Sequence, residues 1–188
     1  MDIHRLTMGN IGPFDGTTEI DFAALTHSGL FLLEGPTGSG KSTILDAIVF
    51  ALYGGVATSV AGTERMRSDA AAPADESFVE LVFEADSGVF RIRRTPSYER
   101  AKKSGSGTTL QRPSVGLWRL ADPADASGEL LSSRSHEADL EVYRILGLTR
   151  AQFVQTVLLP QGEFAAFLRA SPLDRQALLQ RLFGTELY

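Results

Sequence analysis

Apolar positions along the chain change their spacing several times, and each change marks an element. Residues 2–8 (Ile3, Leu6, Met8) and 17–22 (Ile20, Phe22) read as two strands, with the glycine- and proline-rich stretch 9–16 as the turn between them. Residues 29–34, Gly-Leu-Phe-Leu-Leu-Glu, form a short apolar run of buried-strand length. After a glycine-rich interval, residues 44–53 are almost continuously apolar and end at Gly54-Gly55, which predicts a helix with a glycine stop. The small, polar stretch 56–63 predicts a mobile loop, followed by a short basic piece, Arg65-Met66-Arg67.

Residues 78–84 and 89–94 alternate about Asp86-Ser87-Gly88 and predict a hairpin. With Phe90 and Ile92 facing the core, the pleat turns Arg91 and Arg93 together to the other side. That face is either an ordinary solvated sheet face or a contact for nucleic-acid phosphate. Residues 99–109 lack apolar periodicity and predict a disordered hairpin tip, and residues 115–120 the returning strand. From Ser133 onward the pattern is helical: Leu140, Tyr143 and Leu146 repeat at helical spacing before Gly147. Thr149-Arg150-Ala151-Gln152 has the form of a capping box. Pro160 and Gly162 then break the pattern and leave Gln161 on a bend, and Ser171-Pro172 opens a last helix through Leu178, Leu179 and Leu182.

Composition adds limits. The chain has 188 residues, 43% apolar, no cysteine and a net charge of −5. This describes a globular protein without disulfides or thiolate metal sites. The charge argues against sequence-independent nucleic-acid binding by the surface as a whole. No apolar run reaches bilayer length and the N-terminus reads as a strand, so the expectation is a cytoplasmic protein with no membrane partner.

The chemistry lies in the glycine-rich interval. Gly35-Pro36-Thr37-Gly38-Ser39-Gly40-Lys41-Ser42-Thr43 fits G-x-x-x-x-G-K-[ST], between an expected strand and an expected helix. A triphosphate is held by backbone N–H groups pointing inward at one place, and glycines permit that curl. The helix N-terminus beyond it favours an anion further. Lys41 would reach the β- and γ-phosphates, the Ser42 hydroxyl would complete the coordination of Mg²⁺, and Thr43 is placed for the α-phosphate. The expected ligand is ATP with Mg²⁺. The rest of an ATPase is missing: Glu34 ends the strand that already carries the loop, and Leu81-Val82-Phe83-Glu84 is a weak fit for an acidic Mg²⁺ residue. Nor do further strand–helix units follow to finish a parallel sheet, so another polypeptide segment completes it or its core strand keeps an exposed edge.

Asn10-Ile11-Gly12-Pro13-Phe14, the phosphate loop, Met66-Arg67-Ser68 and Leu158-Leu159-Pro160-Gln161-Gly162-Glu163-Phe164 together resemble the N-terminal ATPase segment of the SbcC family, the SMC-like ATPase subunits of bacterial SbcCD nucleases. The resemblance implies an α/β P-loop NTPase fold, the N-terminal lobe of an ABC-type head, with an antiparallel β subdomain and a helical region leading to a coiled coil. Residues 1–170 would form the lobe and 171–188 begin the coiled coil, where a partner nuclease docks in the family. Gln161 would be the Q-loop glutamine that bonds Mg²⁺ or the attacking water. The implied partners are the C-terminal lobe, a second head in a homodimer, an SbcD-like nuclease and double-stranded DNA, in a nucleoid-associated setting. Some relatives carry an arginine where this chain has Gly12, so no side-chain role is assigned there. Two other readings stand beside this one: a small-molecule P-loop kinase with lid arginines at 65–67 and 91–94, and a non-catalytic module that docks nuclease or DNA.

Overall fold

The computed structural model describes residues 1–25, 31–57, 63, 66–102, 104 and 106–158. The chain divides into two compact units, Met1–Gly147 and Leu148–Tyr188.

In the first unit, β1 (Asp2–Ile11) and β2 (Phe14–Asp21) form a hairpin closed by Gly12-Pro13, followed by the single helical turn α1 (Phe22–Leu25). Helix α2 (Lys41–Tyr53) comes next, then β3 (Phe78–Ala85), β4 (Gly88–Thr95), β5 (Tyr98–Ala101), β6 (Thr108–Gln111), β7 (Ser114–Leu120) and β8 (Glu129–Ser132). Helix α3 (Ser135–Leu146) ends the unit. Six strands make one sheet in the order β2-β1-β3-β4-β7-β8, and every pairing among the described residues is antiparallel. Helix α2 packs on β1, β3 and β4 and against α3. Leu6, Met8, Val79, Leu81, Phe83, Phe90, Ile92 and Leu117 of the sheet are buried, as are Ile44 and all six residues from Ala47 to Leu52 of α2. Each Val, Leu, Ile, Met or Phe side chain among them contributes roughly 1.5–3 kcal/mol relative to exposure. The mixed α/β class with an antiparallel β subdomain agrees with the expected lobe.

Three expectations need correction. Residues 31–36 form no strand. A strand requires a neighbour to receive its N–H and C=O groups, and the described sheet offers this run none. Phe31, Leu32 and Leu33 are accordingly 44%, 84% and 43% exposed. The supposed disordered tip is shorter than residues 99–109, because Tyr98–Ala101 pairs with Thr108–Gln111 as a separate two-stranded ribbon. The short strand β8, which the apolar pattern does not mark, precedes the helical region and pairs with β7. Finally, α3 buries Ala138 and Val142 and leaves Leu140 and Tyr143 half exposed, so its inner face is the one opposite to that suggested by leucine spacing.

In the second unit, α4 (Arg150–Phe153) opens with the expected capping box. The Gln152 N–H donates to Thr149 Oγ1 at 3.3 Å and the Thr149 N–H to Gln152 Oε1 at 2.9 Å. A π turn, Val154–Leu158, continues it. Gln161 and the helix expected from Ser171 lie outside the described residues.

Candidate nucleotide-binding site

The loop before α2 curls as the glycine spacing requires. Gly38 and Gly40 have φ of +86° and +93°, a left-handed conformation that L side chains rarely adopt. Ser39 N–H donates to Pro36 O at 3.2 Å, which closes the curl. Gly40 is the N-cap of α2, and its carbonyl accepts the first helical bond from the Ile44 N–H at 3.1 Å. The N–H groups of Lys41, Ser42 and Thr43 precede that bond and have no intrahelical acceptor, so they form the positive end of the helix. Lys41 folds into the curl and donates from Nζ to Gly35 O at 2.6 Å, Pro36 O at 2.7 Å and, at 3.4 Å, to Ser39 Oγ. Its charge therefore stands inside the loop, and Gly35 through Ser39 are exposed around it. A Cβ on Gly35 would lie 2.8 Å from Ser39 Oγ. Unpaired amides, a central ammonium and an adjacent hydroxyl at Ser42 are the donor set that a magnesium-bound triphosphate requires.

The loop rests on the β1–β2 turn, a role that the sequence had not assigned. A Cβ on Gly40 would stand 2.7 Å from the Phe14 ring and 2.8 Å from Pro13 Cγ, so the turn supports the point where loop becomes helix. Gly12 lies against Thr43, and a Cβ there would meet Thr43 Cγ2 at 2.7 Å. With φ of +54° and its N–H given to Met66 O at 2.7 Å, position 12 is strained for any residue with a side chain in this arrangement. Asn10 fixes the turn from below: Nδ2 donates to Glu76 O at 2.9 Å, Oδ1 accepts from the Gly16 N–H at 3.0 Å, and the carbonyl accepts from the Ser68 N–H at 2.9 Å. The signal for this support was present in Asn10-Ile11-Gly12-Pro13-Phe14, but its contact with the loop is long-range.

Other expected site residues fall elsewhere. Arg91 and Arg93 do share the sheet face opposite α2, yet each is engaged within the chain. Arg91 donates to Ala126 O at 2.8 Å and Ser127 O at 3.2 Å and lies over the Trp118 ring. Arg93 pairs with Glu76 at 3.1 Å and Glu80 at 3.6 Å and stacks 3.5 Å above the centre of Phe78. Glu84, the next-to-last residue of antiparallel β3, pairs with Asp2 at the start of β1 and is bonded to His4 at 3.0 Å, at the end of the sheet opposite the β1–β2 turn that meets the loop. Among the described residues no cluster of three or more His, Asp or Glu side chains is arranged to hold a metal ion. Past α2, Asp46 Oδ1 accepts the Ala57 N–H at 2.9 Å and so ties the outgoing chain to α2.

A curled glycine loop feeding a buried helix, with a lysine turned into the curl, defines a P-loop nucleotide-binding domain. A family model described as "AAA domain" matches residues 5–188, and the chain belongs to that family. Individual proteins sharpen this. The chain is 39% identical over 186 residues to the C subunit of nuclease SbcCD from Vibrio cholerae, covering 98% of this chain and 18% of that protein. Proteins of the same name from Lactococcus lactis and Treponema pallidum are 36% and 34% identical, over 97% and 98% of this chain and 17% of each relative. The chain thus spans less than a fifth of the length of the curated relatives it matches. No helix among the described residues is long and apolar enough to cross a membrane.

Proposed function

We propose that this chain is the ATP-binding N-terminal lobe of an SMC-like DNA-repair ATPase that acts with a nuclease partner. The observation that carries this reading is the Lys41-centred curl at the start of α2, in a chain similar over nearly all of its length to SbcC proteins of SbcCD nucleases. Backbone N–H groups of residues 38–43 would hold the phosphates, Lys41 would neutralise the β- and γ-oxygens, Ser42 would bind Mg²⁺, and Gln161 would complete that coordination. Bound Mg²⁺ would supply charge neutralisation on the transferring phosphoryl group. The exposed run Phe31-Leu32-Leu33 supports a sheet that another segment completes, the part expected of a C-terminal lobe. ATP would then be closed between this lobe and a second head, and opening on hydrolysis would gate access of double-stranded DNA to an SbcD-like nuclease in the bacterial cytoplasm, at the nucleoid.

The small-molecule kinase reading loses its lid, because the described arginines proposed for it are held by their own chain: Arg67 by Asp75 O, Ala72 O and Ser77 Oγ, Arg91 by Ala126 O and Ser127 O, Arg93 by Glu76 and Glu80, and Arg94 by the α2 carbonyls of Ala51 and Leu52 and by Asp139. Thermal denaturation with and without MgATP tests the proposal. At a hundredfold excess over Kd, bound nucleotide adds about 2.7 kcal/mol of stability to the parent, and Lys41→Ala abolishes most of that gain. An equal shift in both, or none in the parent at millimolar MgATP, refutes the proposal. Turnover is expected only when the C-terminal lobe is added.

A further inference from the structure

The two ends of α2 are treated very differently. Its N-terminus is built for an anion, and its own last turn carries no basic residue. Four carbonyls at a helix C-terminus lack intrahelical donors and concentrate negative partial charge. The Gly54 N–H takes one of them, Phe50 O, at 2.8 Å. Arg94, brought from β4, takes two more: Nε donates to Ala51 O at 2.8 Å and Nη2 to Leu52 O at 3.1 Å. Its remaining reach is to α3, where Nη2 bonds Asp139 Oδ1 at 2.5 Å. The Arg94 side chain is only 5% exposed, whereas that of Asp139 is 47% exposed. Burial pulls the guanidinium's pKa down and Asp139 partly restores it. A buried guanidinium deprived of its counter-charge is expensive, so the carboxylate is required for the arginine to remain where it is. Asp139 projects from the edge of the α3 face that buries Ala138 and Val142.

We infer that Arg94 and Asp139 form a positioning pair for the nucleotide site: the guanidinium clamps the far end of the phosphate-binding helix to β4 and α3, and so fixes where the near end presents its amides. This rests on the nucleotide-binding reading for its consequence but not for its geometry. The helix is 13 residues long, roughly 20 Å at 1.5 Å per residue, and six consecutive buried residues make it stiff. A change at Ala51 and Leu52 is then carried along its axis to Gly40 and Lys41. Neither Arg94 nor Asp139 touches the loop, so the pair acts on the site only through α2.

Asp139→Asn is the informative variant, because it removes the charge, keeps an acceptor and alters a half-exposed side chain. Two measurements are made on this chain. The first, without nucleotide, follows amide resonances and hydrogen exchange. Positioning requires shifts at Gly40, Lys41 and Ser42 and several-fold faster exchange of the Ile44 N–H, with Asp139→Glu returning both toward the parent. The second is the Kd for MgATP, expected to rise roughly fivefold, the low end of measured couplings between sites. Changes confined to residues 50–54, 94 and 139, with an unaltered first turn, would overturn the inference and leave the pair as local scaffold. If the parent does not bind MgATP, the functional reading fails while the first measurement still decides the pair. Should Asp139→Asn not fold, Arg94→Lys, which keeps the charge but loses the fork, is read in the same way.

Discussion

The support of the phosphate loop by the β1–β2 turn can be isolated by two substitutions of identical chemistry. Gly38 and Gly40 have nearly the same φ, +86° and +93°. Alanine at either position therefore meets the same backbone penalty, about 1–2 kcal/mol for a left-handed L residue. It also gains the same offset, about 0.4–1 kcal/mol, from a less flexible unfolded chain. Their surroundings differ. A Cβ at Gly38 finds nothing within 4 Å, whereas at Gly40 it lies 2.7 Å from two Phe14 ring carbons and 2.8 Å from Pro13 Cγ. Carbon contacts are optimal near 3.5–4.0 Å, so Phe14 and Pro13 must move, at an overpacking cost of about 1–3 kcal/mol. Gly38→Ala should lower stability by about 1 kcal/mol and Gly40→Ala by about 2–4 kcal/mol. Urea denaturation reads the difference directly. In melting temperature it amounts to about 2–12 °C, at 2–4 °C per kcal/mol for a chain of this size. Phe14→Ala should recover much of it in the Gly40→Ala background, as a coupling of at least about 1 kcal/mol in a double-mutant cycle. Equal destabilisation by the two alanines, or strict additivity with Phe14→Ala, would refute the claim that the turn bears on the loop.

Two further predictions address groups away from the loop. Hydrogen bonds from the Ser127 hydroxyl first, and from the Ala121, Ser127 and Gly128 amides, pull the Asp125 carboxyl from 3.8 to about 2. Because the folded value lies below the unfolded one, the contribution of Asp125 is full above about pH 4 and disappears as pH falls towards 2. The stability gap between the parent and Asp125→Asn should therefore be present at pH 6 and close near pH 2; a gap independent of pH would contradict this. For the opposite sheet face, the joint replacement Arg91→Ala/Arg93→Ala should change the slope of log K for duplex DNA against log salt by less than one unit, since Glu76, Glu80 and the 126–127 carbonyls already occupy these side chains. Loss of about 1.8 units, the value for two phosphate contacts, would instead make that face a DNA contact.

Much of the local architecture was legible in the chain itself. The P-loop, the helix expected over 44–53 with its glycine stop, the hairpin of 78–84 and 89–94 and the Thr149 capping box all depend on φ preferences, donor spacing or periodicity that act within a few residues. The inward face of β4 was legible for the same reason, since Phe90 and Ile92 alternate with Arg91 and Arg93. Other outcomes had no local determinant. Whether Phe31-Leu32-Leu33 becomes a strand depends on a partner that the described sheet does not supply, and whether residues 98–101 pair depends on a segment seven residues further on. The face that α3 buries, Ala138 and Val142, depends on what β7, β8 and α2 place against it, which the spacing of Leu140 and Tyr143 does not carry. The chain alone therefore determined what the phosphate-binding loop is made of. Tertiary structure alone decided what holds it, because the Phe14 ring beneath Gly40 and the Arg94 fork beyond Leu52 come from distant strands, and hydrogen bonds and packing between segments leave no periodic trace in either one.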